Sequence, residues 1–276
     1  MVAALASVAR ADDPPLLANG DEALAHAFSL DLQYARVNGF VQVRETTREG
    51  TRLPLQDLGL DSAEAFALLL DQQLTEDSRL SWRARWFYAA GRASFDHEVE
   101  FNAVSYEAGT TIRSQAQLGD LTFHYEYDLL HFAGSGRLAL LAGCKFTYLN
   151  FVMRGTEAAD TSGHDQKEDF WKQSLPLPSL GLRVDWPLTP VQRLYAEGFA
   201  WRAIRWNTLR SEGGTIWLTQ DDLEATAGWS WRFQPKWELA AGVRFDYLAI
   251  DEQSHEDGNV ILMRSLGPFV AISLRF

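Results

Sequence analysis

The sequence predicts an all-β fold: an antiparallel up-and-down barrel of about ten strands, with a count between about eight and twelve. Three observations predict it. Apolar and polar residues alternate with a period of two through much of the 276-residue chain. The connections between these segments are short and long in turn. No apolar run reaches the roughly 18 residues that a membrane-spanning helix needs.

The first strand is predicted at about 27–44, where outward Phe28 and Leu30 alternate with Ser29 and Asp31. Its phase slips near Arg36–Gly39, which indicates a bulge or an emergence from a membrane. The second strand, about 63–74, is the weakest, because its centre would also suit one and a half turns of helix. The other strands are predicted at about 79–95, 111–130, 137–154, 179–186, 191–207, 221–233, 236–250 and 263–276.

Turns after even-numbered strands have two to about six residues, whereas the loops after odd-numbered strands have roughly nine to twenty. This asymmetry and an even strand count are typical of transmembrane barrels, with short turns and both termini on the periplasmic side. The five long loops, which we expect on the extracellular side, are Glu45–Asp61, Asp96–Gly109, Gly155–Ser174, Thr208–Thr219 and Asp251–Asn259.

The last strand carries the segment Ser265-Leu-Gly-Pro-Phe-Val-Ala-Ile272 and ends on Phe276. It resembles the insertion signal at the end of bacterial outer-membrane β-barrels, through Gly267, Val270, Ile272 and the terminal aromatic Phe276. The resemblance implies location in the outer membrane of a Gram-negative-type bacterium. It also implies contact with the barrel-insertion machinery during biogenesis.

The start of the chain is expected to be a remnant of a secretory signal peptide, residues 1–11. Its Ala9-Arg10-Ala11 fits the small-x-small cleavage rule, although the positive n-region is missing. Residues 12–26 are predicted to be a periplasmic lead-in, and residues 27–276 to be the barrel.

Aromatic side chains on the apolar faces lie next to the strand ends, as in the interfacial girdles of membrane barrels. A soluble barrel would have to turn these bulky faces inward, where ten strands of them would overfill it. The predicted girdle residues are Trp82, Tyr88, Tyr148, Trp186, Trp206, Trp231, Phe233, Trp237, Tyr247 and Phe276.

The opposite faces carry charges of both signs, and buried charges must be paired or solvated. We expect an ion-pair network that fills the lumen, with Arg83 beside Asp128, Arg85 beside Glu126, and Arg232 across from Glu238; a charged permeation path is the alternative. The predicted lumen residues are Asp31, Arg83, Arg85, His124, Glu126, Asp128, Lys145, Arg183, Asp185, Glu224, Arg232, Glu238, Arg244, Asp246 and Arg275.

The formal net charge of −12 argues against nucleic acid as a partner, because phosphates need a basic surface. The expected partners are outer-membrane lipid and lipopolysaccharide. The oligomeric state is not readable from the sequence.

No cofactor is expected, except Ca²⁺ or Mg²⁺ at the acidic outer loops. Asp160, Asp165, Glu168 and Asp169 could form a weak divalent site in the longest loop. Solvated loop carboxylates are the alternative.

Catalytic options are weak. Omptin-like proteases place Asp and His pairs above the outer rim, and Asp96-His97-Glu98, His164-Asp165 and His255-Glu256-Asp257 are a faint parallel. None of that family's strand-borne motifs is present. A lipid-modifying enzyme would need a Ser–His pair facing lipid, whereas Ser254-His255 is on a loop. We therefore expect a non-enzymatic barrel that is structural or binds through its surface loops. A narrow, porin-like passive channel is second and a loop-sited hydrolase third.

Overall fold

The computed structural model describes residues 26–45, 50–101, 104–132, 136–156, 165–173, 176–207, 217–253 and 257–276. The expected signal-peptide remnant and nearly all of the lead-in lie outside these ranges. Within them, no helix is long and apolar enough to cross a bilayer.

Ten long strands form the wall, and each appears where the alternation predicts one. The weakest prediction, the second strand, is also a strand. The wall strands are β1 (His26–Glu45), β2 (Ser62–Thr75), β3 (Ser78–Ser94), β4 (Thr111–Phe132), β5 (Gly136–Thr156), β6 (Leu177–Thr189), β7 (Gln192–Asn207), β8 (Trp217–Gln234), β9 (Trp237–Gln253) and β10 (Asp257–Arg275).

The wall is a closed antiparallel ring, so the predicted fold class is confirmed. Each strand pairs with its neighbour in sequence, and β1 pairs with β10 to close the ring. Next to this seam His26 N–H donates to the Phe276 carbonyl at 3.1 Å, and Phe276 N–H donates back at 3.0 Å. Closure removes the unpaired sheet edges that would otherwise expose backbone donors and acceptors.

The strands extend further than predicted at the end that carries the long connections, which we call the loop end. Four short strands lie in the predicted loops: Leu53–Pro54 beside β1, the hairpin Val99–Phe101 and Val104–Tyr106, and Asp165–Gln173 beside the upper half of β5. We call the opposite end, with the short connections, the turn end.

The phase slip predicted near Arg36–Gly39 is a reversal of polarity. β1 pairs with β10 without a register shift, from Gln33 opposite Phe269 to Arg36 opposite Leu266, so the expected bulge is wrong. Between this point and the turn end, most inward residues of β1 are polar and the outward ones are apolar. Above it Val37 is buried inside, while Arg36 is exposed outside. The reversal fits the other expectation, that the wall leaves a membrane here.

The outward apolar band has the height of a membrane's hydrocarbon layer. On β10 it runs from Leu266 to Phe276, both more than half exposed (57% and 51%). Ten residues at about 3.3 Å each span roughly 33 Å of strand, or about 25 Å of height at a tilt of about 40°. Outer-membrane barrels carry a band of about this height.

Candidate functional site

The barrel interior is the candidate site, and its side chains form three tiers. A charged tier occupies the turn end, a second charged tier occupies the centre, and an apolar tier occupies the loop end.

The central tier joins opposite walls through arginine–carboxylate pairs. Arg83 on β3 donates to both carboxylate oxygens of Glu224 on β8, one bond measuring 2.5 Å. β3 and β8 are five strands apart in either direction around the ring, so this pair crosses its full width. Arg85 donates to Asp246 at 2.5 Å and to Asp120 at 2.9 Å. Bidentate, charge-assisted bonds of this kind fix geometry as well as adding energy.

Two further cations complete the tier. Lys145 on β5 donates to the two carboxylate oxygens of Asp222 at 3.1 and 3.0 Å, and lies 3.3 Å from Asp120. Arg244 on β9 donates to Asp31 on β1 at 2.5 Å. These side chains are nearly inaccessible to solvent. Opposite charges are therefore matched at short range where desolvation is most costly.

The turn-end tier is organised by Asp185 on β6. Its carboxylate lies 2.8 Å from Arg137, 2.9 Å from Arg183 and 3.4 Å from Arg193. Arg137 also contacts Glu126 at 2.7 Å. Three arginines around one carboxylate restrict the side-chain rotation of all four residues on this side of the lumen.

On the other side of the turn-end tier, Glu238 pairs with two arginines. Arg193 donates to it at 2.8 Å, and Arg275 pairs with its other oxygen. A cavity of about 170 Å³ lies below these pairs, lined in part by Arg79 and Gln73. This is space for a few water molecules.

The apolar tier fills the mouth at the loop end. β2 stops at Ser62 while β1 and β3 continue, and the segment 50–60, the wall patch, fills the gap between them. Its leucines Leu53, Leu58 and Leu60 are 0–1% exposed. Gly59 adopts φ +74° and lies against the Arg92 backbone, where a Cβ would approach within 2.8 Å. The patch therefore packs tightly against the wall.

The strand pair of 99–101 and 104–106, the mouth hairpin, lies across the apolar tier. Thr51 N–H donates to the Glu100 carbonyl at 2.8 Å, which ties the hairpin to the wall patch. On the far side Phe101 contacts Phe151 of β5, with ring centroids 5.5 Å apart. Phe101 and Tyr106 are fully buried. The described parts of the first two predicted loops therefore contribute buried side chains to the mouth, while Arg52, Gln56, Asp96 and His97 on them are exposed.

A Ser–His pair lies inside the lumen. His124 Nε2 is 3.1 Å from Ser179 Oγ, and the imidazole stacks on Phe199 with centroids 4.2 Å apart. Both members are buried, 5% and 3% exposed. The pair faces neither the lipid side nor the loop surface, so a lipid or peptide substrate cannot reach it in this structure.

The predicted lumen residues lie on the inward side of the wall, with different pairings from those expected. Arg83 is opposite Thr122 and Arg85 opposite Asp120, so the expected neighbours Asp128 and Glu126 are wrong. Strands of a closed barrel are staggered, and residues at equal distance from their turns are therefore not partners. Arg232 does lie across from Glu238, but its guanidinium donates to the Pro190 carbonyl at 3.5 Å.

Sequence reasoning missed six charged members of these tiers. All six lie within the predicted strand bounds. Inward alternation, followed along the whole of each strand, would have found them. The missed residues are Arg79, Asp120, Arg137, Arg193, Glu197 and Asp222.

The predicted girdle residues with described side chains face outward, and Trp186 and Phe276 are about half exposed. Trp206 lies on β7, but its side chain is outside the described part. Of the insertion-signal residues, Val270 and Ile272 also face outward. Gly267 lies where β10 approaches β1 so closely that a Cβ would meet the Tyr34 carbonyl oxygen at 2.0 Å.

The loop residues considered for metal binding or catalysis are mostly outside the described ranges. Asp160, His164 and His255 are not described, and Asp165, Glu168 and Asp169 are described only in their backbone. Asp96 and His97 are exposed and 2.8 Å apart, and the hydrogen bond from His97 lowers the pKa of Asp96.

No protein-family model matches the chain, and no curated protein matches it. Solved structures do. The outer membrane protease OmpT from Escherichia coli is 10% identical, with 91% of this chain and 97% of that chain covered and a TM-score of 0.53. The translocator domain of the autotransporter NalP from Neisseria meningitidis is 13% identical over 95% and 91% of the two chains, with a TM-score of 0.45. Ail of Yersinia pestis is 13% identical over 90% and 99%, with a TM-score of 0.30. The likeness to OmpT shows the fold alone: this chain has the fold of a bacterial outer-membrane β-barrel.

Proposed function

We propose that the protein is an integral outer-membrane barrel without catalytic activity, whose sealed lumen makes it a rigid support for the structure at its loop end. The turn end faces the periplasm and the loop end faces outward. The observation that carries this proposal is the Arg83–Glu224 pair, which joins opposite walls through the middle of the lumen.

Two barriers in series support a sealed lumen. In the central tier Glu224 and Lys145 are 1% and 2% exposed, so little room for water remains around them. In the apolar tier the wall patch and the mouth hairpin cover the opening with side chains such as Leu58 and Phe101. An ion would have to cross both a buried ion-pair layer and an apolar layer, and each transfer is costly.

A narrow channel is the second candidate. The cavity of about 170 Å³ at the turn end favours it, because it gives the lumen an entrance with room for a few water molecules on one side. The turn-end tier and the central tier lie above that entrance, and both would have to rearrange for passage. A loop-sited hydrolase is third, supported by the exposed Asp96–His97 pair and by the fold shared with a protease.

Liposome swelling tests the proposal. Purified barrel reconstituted in lipid vesicles should give no swelling with small sugars, while a 16-stranded porin in parallel vesicles does. Folding is verified first by anomalous gel migration without boiling. Swelling at a rate proportional to the folded protein would favour the channel instead.

A further inference from the structure

Three arginines stand in one row on the outer surface above the apolar band. Arg92 on β3 is opposite Arg113 on β4, and Arg113 is opposite Arg154 on β5. All three are exposed and lie on the outward face. Since neighbouring strands are about 4.8 Å apart, the three backbones span only about 10 Å.

Within the described part of the chain, the row has no counter-charge of its own. Among the side chains that the structure describes, no carboxylate lies within 4 Å of any of the three guanidinium groups, whereas exposed Arg202 on β7 contacts Asp221 at 3.2 Å. Like charges directly opposite each other destabilise a strand pair. The protein as a whole carries a formal charge of −12, so this is a local cationic surface on an acidic protein.

The height of the row selects the kind of anion. Trp86 and Tyr148 stack across Gly119, 5.9 Å between centroids. Tyr88, the next outward residue on β3, is 37% exposed and marks the upper edge of the apolar band there. The arginine row lies four residues above Tyr88, about 13 Å along the strand and about 10 Å in height at a tilt of about 40°. Long arginine side chains can reach back by several ångströms. Their guanidinium groups then lie in the headgroup layer, above the acyl chains.

We propose that Arg92, Arg113 and Arg154 form a binding site for the phosphate groups of a phosphorylated glycolipid in the outer leaflet, of the lipopolysaccharide type. This rests on the proposed outer-membrane location. Guanidinium groups bind phosphate through paired N–H donors, and they keep their charge at any physiological pH. Three of them in about 10 Å match a headgroup that carries more than one phosphate. Binding also removes the repulsion within the row.

The test uses the full-length barrel folded in vesicles of neutral lipid, titrated with lipopolysaccharide in the presence of EDTA and, in a parallel series, in its absence. Binding stabilises the folded barrel and is measured through its thermal unfolding. The readout is the rise in the temperature above which the protein migrates on a gel as the unfolded chain does. The variant Arg92→Gln/Arg113→Gln/Arg154→Gln is compared with Arg36→Gln/Arg202→Gln/Arg264→Gln, which removes three other exposed arginines.

We expect the row variant to need on the order of 100-fold more lipopolysaccharide for half of the shift, because each basic residue near an anionic surface contributes about 1 kcal/mol and about 1.4 kcal/mol is a tenfold change in affinity. The control variant should change by less than about threefold. Dephosphorylated lipopolysaccharide and inorganic phosphate should give no saturable shift with the wild type. If the triple variant does not fold, Arg113→Gln replaces it, because Arg113 lies between the other two.

Equal weakening in both variants would overturn the site in favour of diffuse charge attraction. So would equal binding of dephosphorylated lipopolysaccharide, or a shift that EDTA abolishes, since the contact would then run through divalent cations. Failure of the proposed membrane location is distinguishable: the wild type would then show no folded, anomalously migrating form in vesicles at all.

Discussion

The Arg83–Glu224 pair gives a quantitative prediction because its two members have different second partners. Removing one partner of a buried ion pair costs about 3–5 kcal/mol, because the remaining charge stays buried and uncompensated. Without Arg83, Glu224 still has Arg244 at 3.7 Å and Arg85 at 4.0 Å. Without Glu224, the described side chains offer Arg83 no other carboxylate within 4 Å. Arg83→Met should therefore cost about 2–3 kcal/mol and Glu224→Leu about 4–5 kcal/mol.

The double variant Arg83→Met/Glu224→Leu should cost less than the sum of the two single changes, by about 1–3 kcal/mol, because neither charge is left alone. Unfolding by urea in lipid vesicles, followed by tryptophan fluorescence, gives the four free energies of the cycle. Arg202→Gln serves as the control, since its pair with Asp221 is exposed and should contribute less than about 1 kcal/mol. Additive single costs, or a larger cost for Arg83→Met, would refute the assigned geometry.

Three further predictions concern the wall and the mouth. Val243→Arg, at a 51% exposed outward position, should destabilise the barrel in vesicles by about 2–4 kcal/mol. Ala90→Arg, above the apolar band, should cost less than about 0.5 kcal/mol. Equal costs would show that the position assigned to the apolar band is wrong. Phe101→Ala should cost about 3–5 kcal/mol in the same urea assay, as expected for a fully buried aromatic, and a neutral result would show that the mouth hairpin does not pack as described. Protease added to intact cells should cleave Gly155–Ser174, and cleavage only after the outer membrane is opened would reverse the proposed orientation.

Strand positions were predictable because alternation is a local property of the sequence. Phe28 and Leu30 outside, with Ser29 and Asp31 inside, define the face of β1 without knowledge of its neighbours. Register was not predictable in this way. Arg85 faces Asp120 because of the stagger that closes the ring, and stagger depends on all ten strands together.

The apolar tier was missed for a different reason. Leu53, Leu55, Leu58 and Leu60 stand in a segment that reads as a polar loop, and their burial depends on the gap left where β2 ends. On β1 the apolar side chains change from the outward to the inward face near Arg36, which the sequence shows as a phase slip. This reversal of polarity indicates that the mouth above it is apolar. Recognising it needed the height of the membrane boundary on several strands at once.

Conductance across a planar lipid bilayer tests the central claim, the sealed lumen, most directly. The wild-type barrel, folded and inserted, should give no steady current at any applied voltage. A variant that lacks the mouth hairpin and carries Arg83→Ala should open step-like currents, which shows that insertion would have been detected. Steady, ion-selective steps from the wild type would contradict the sealed lumen and establish the channel.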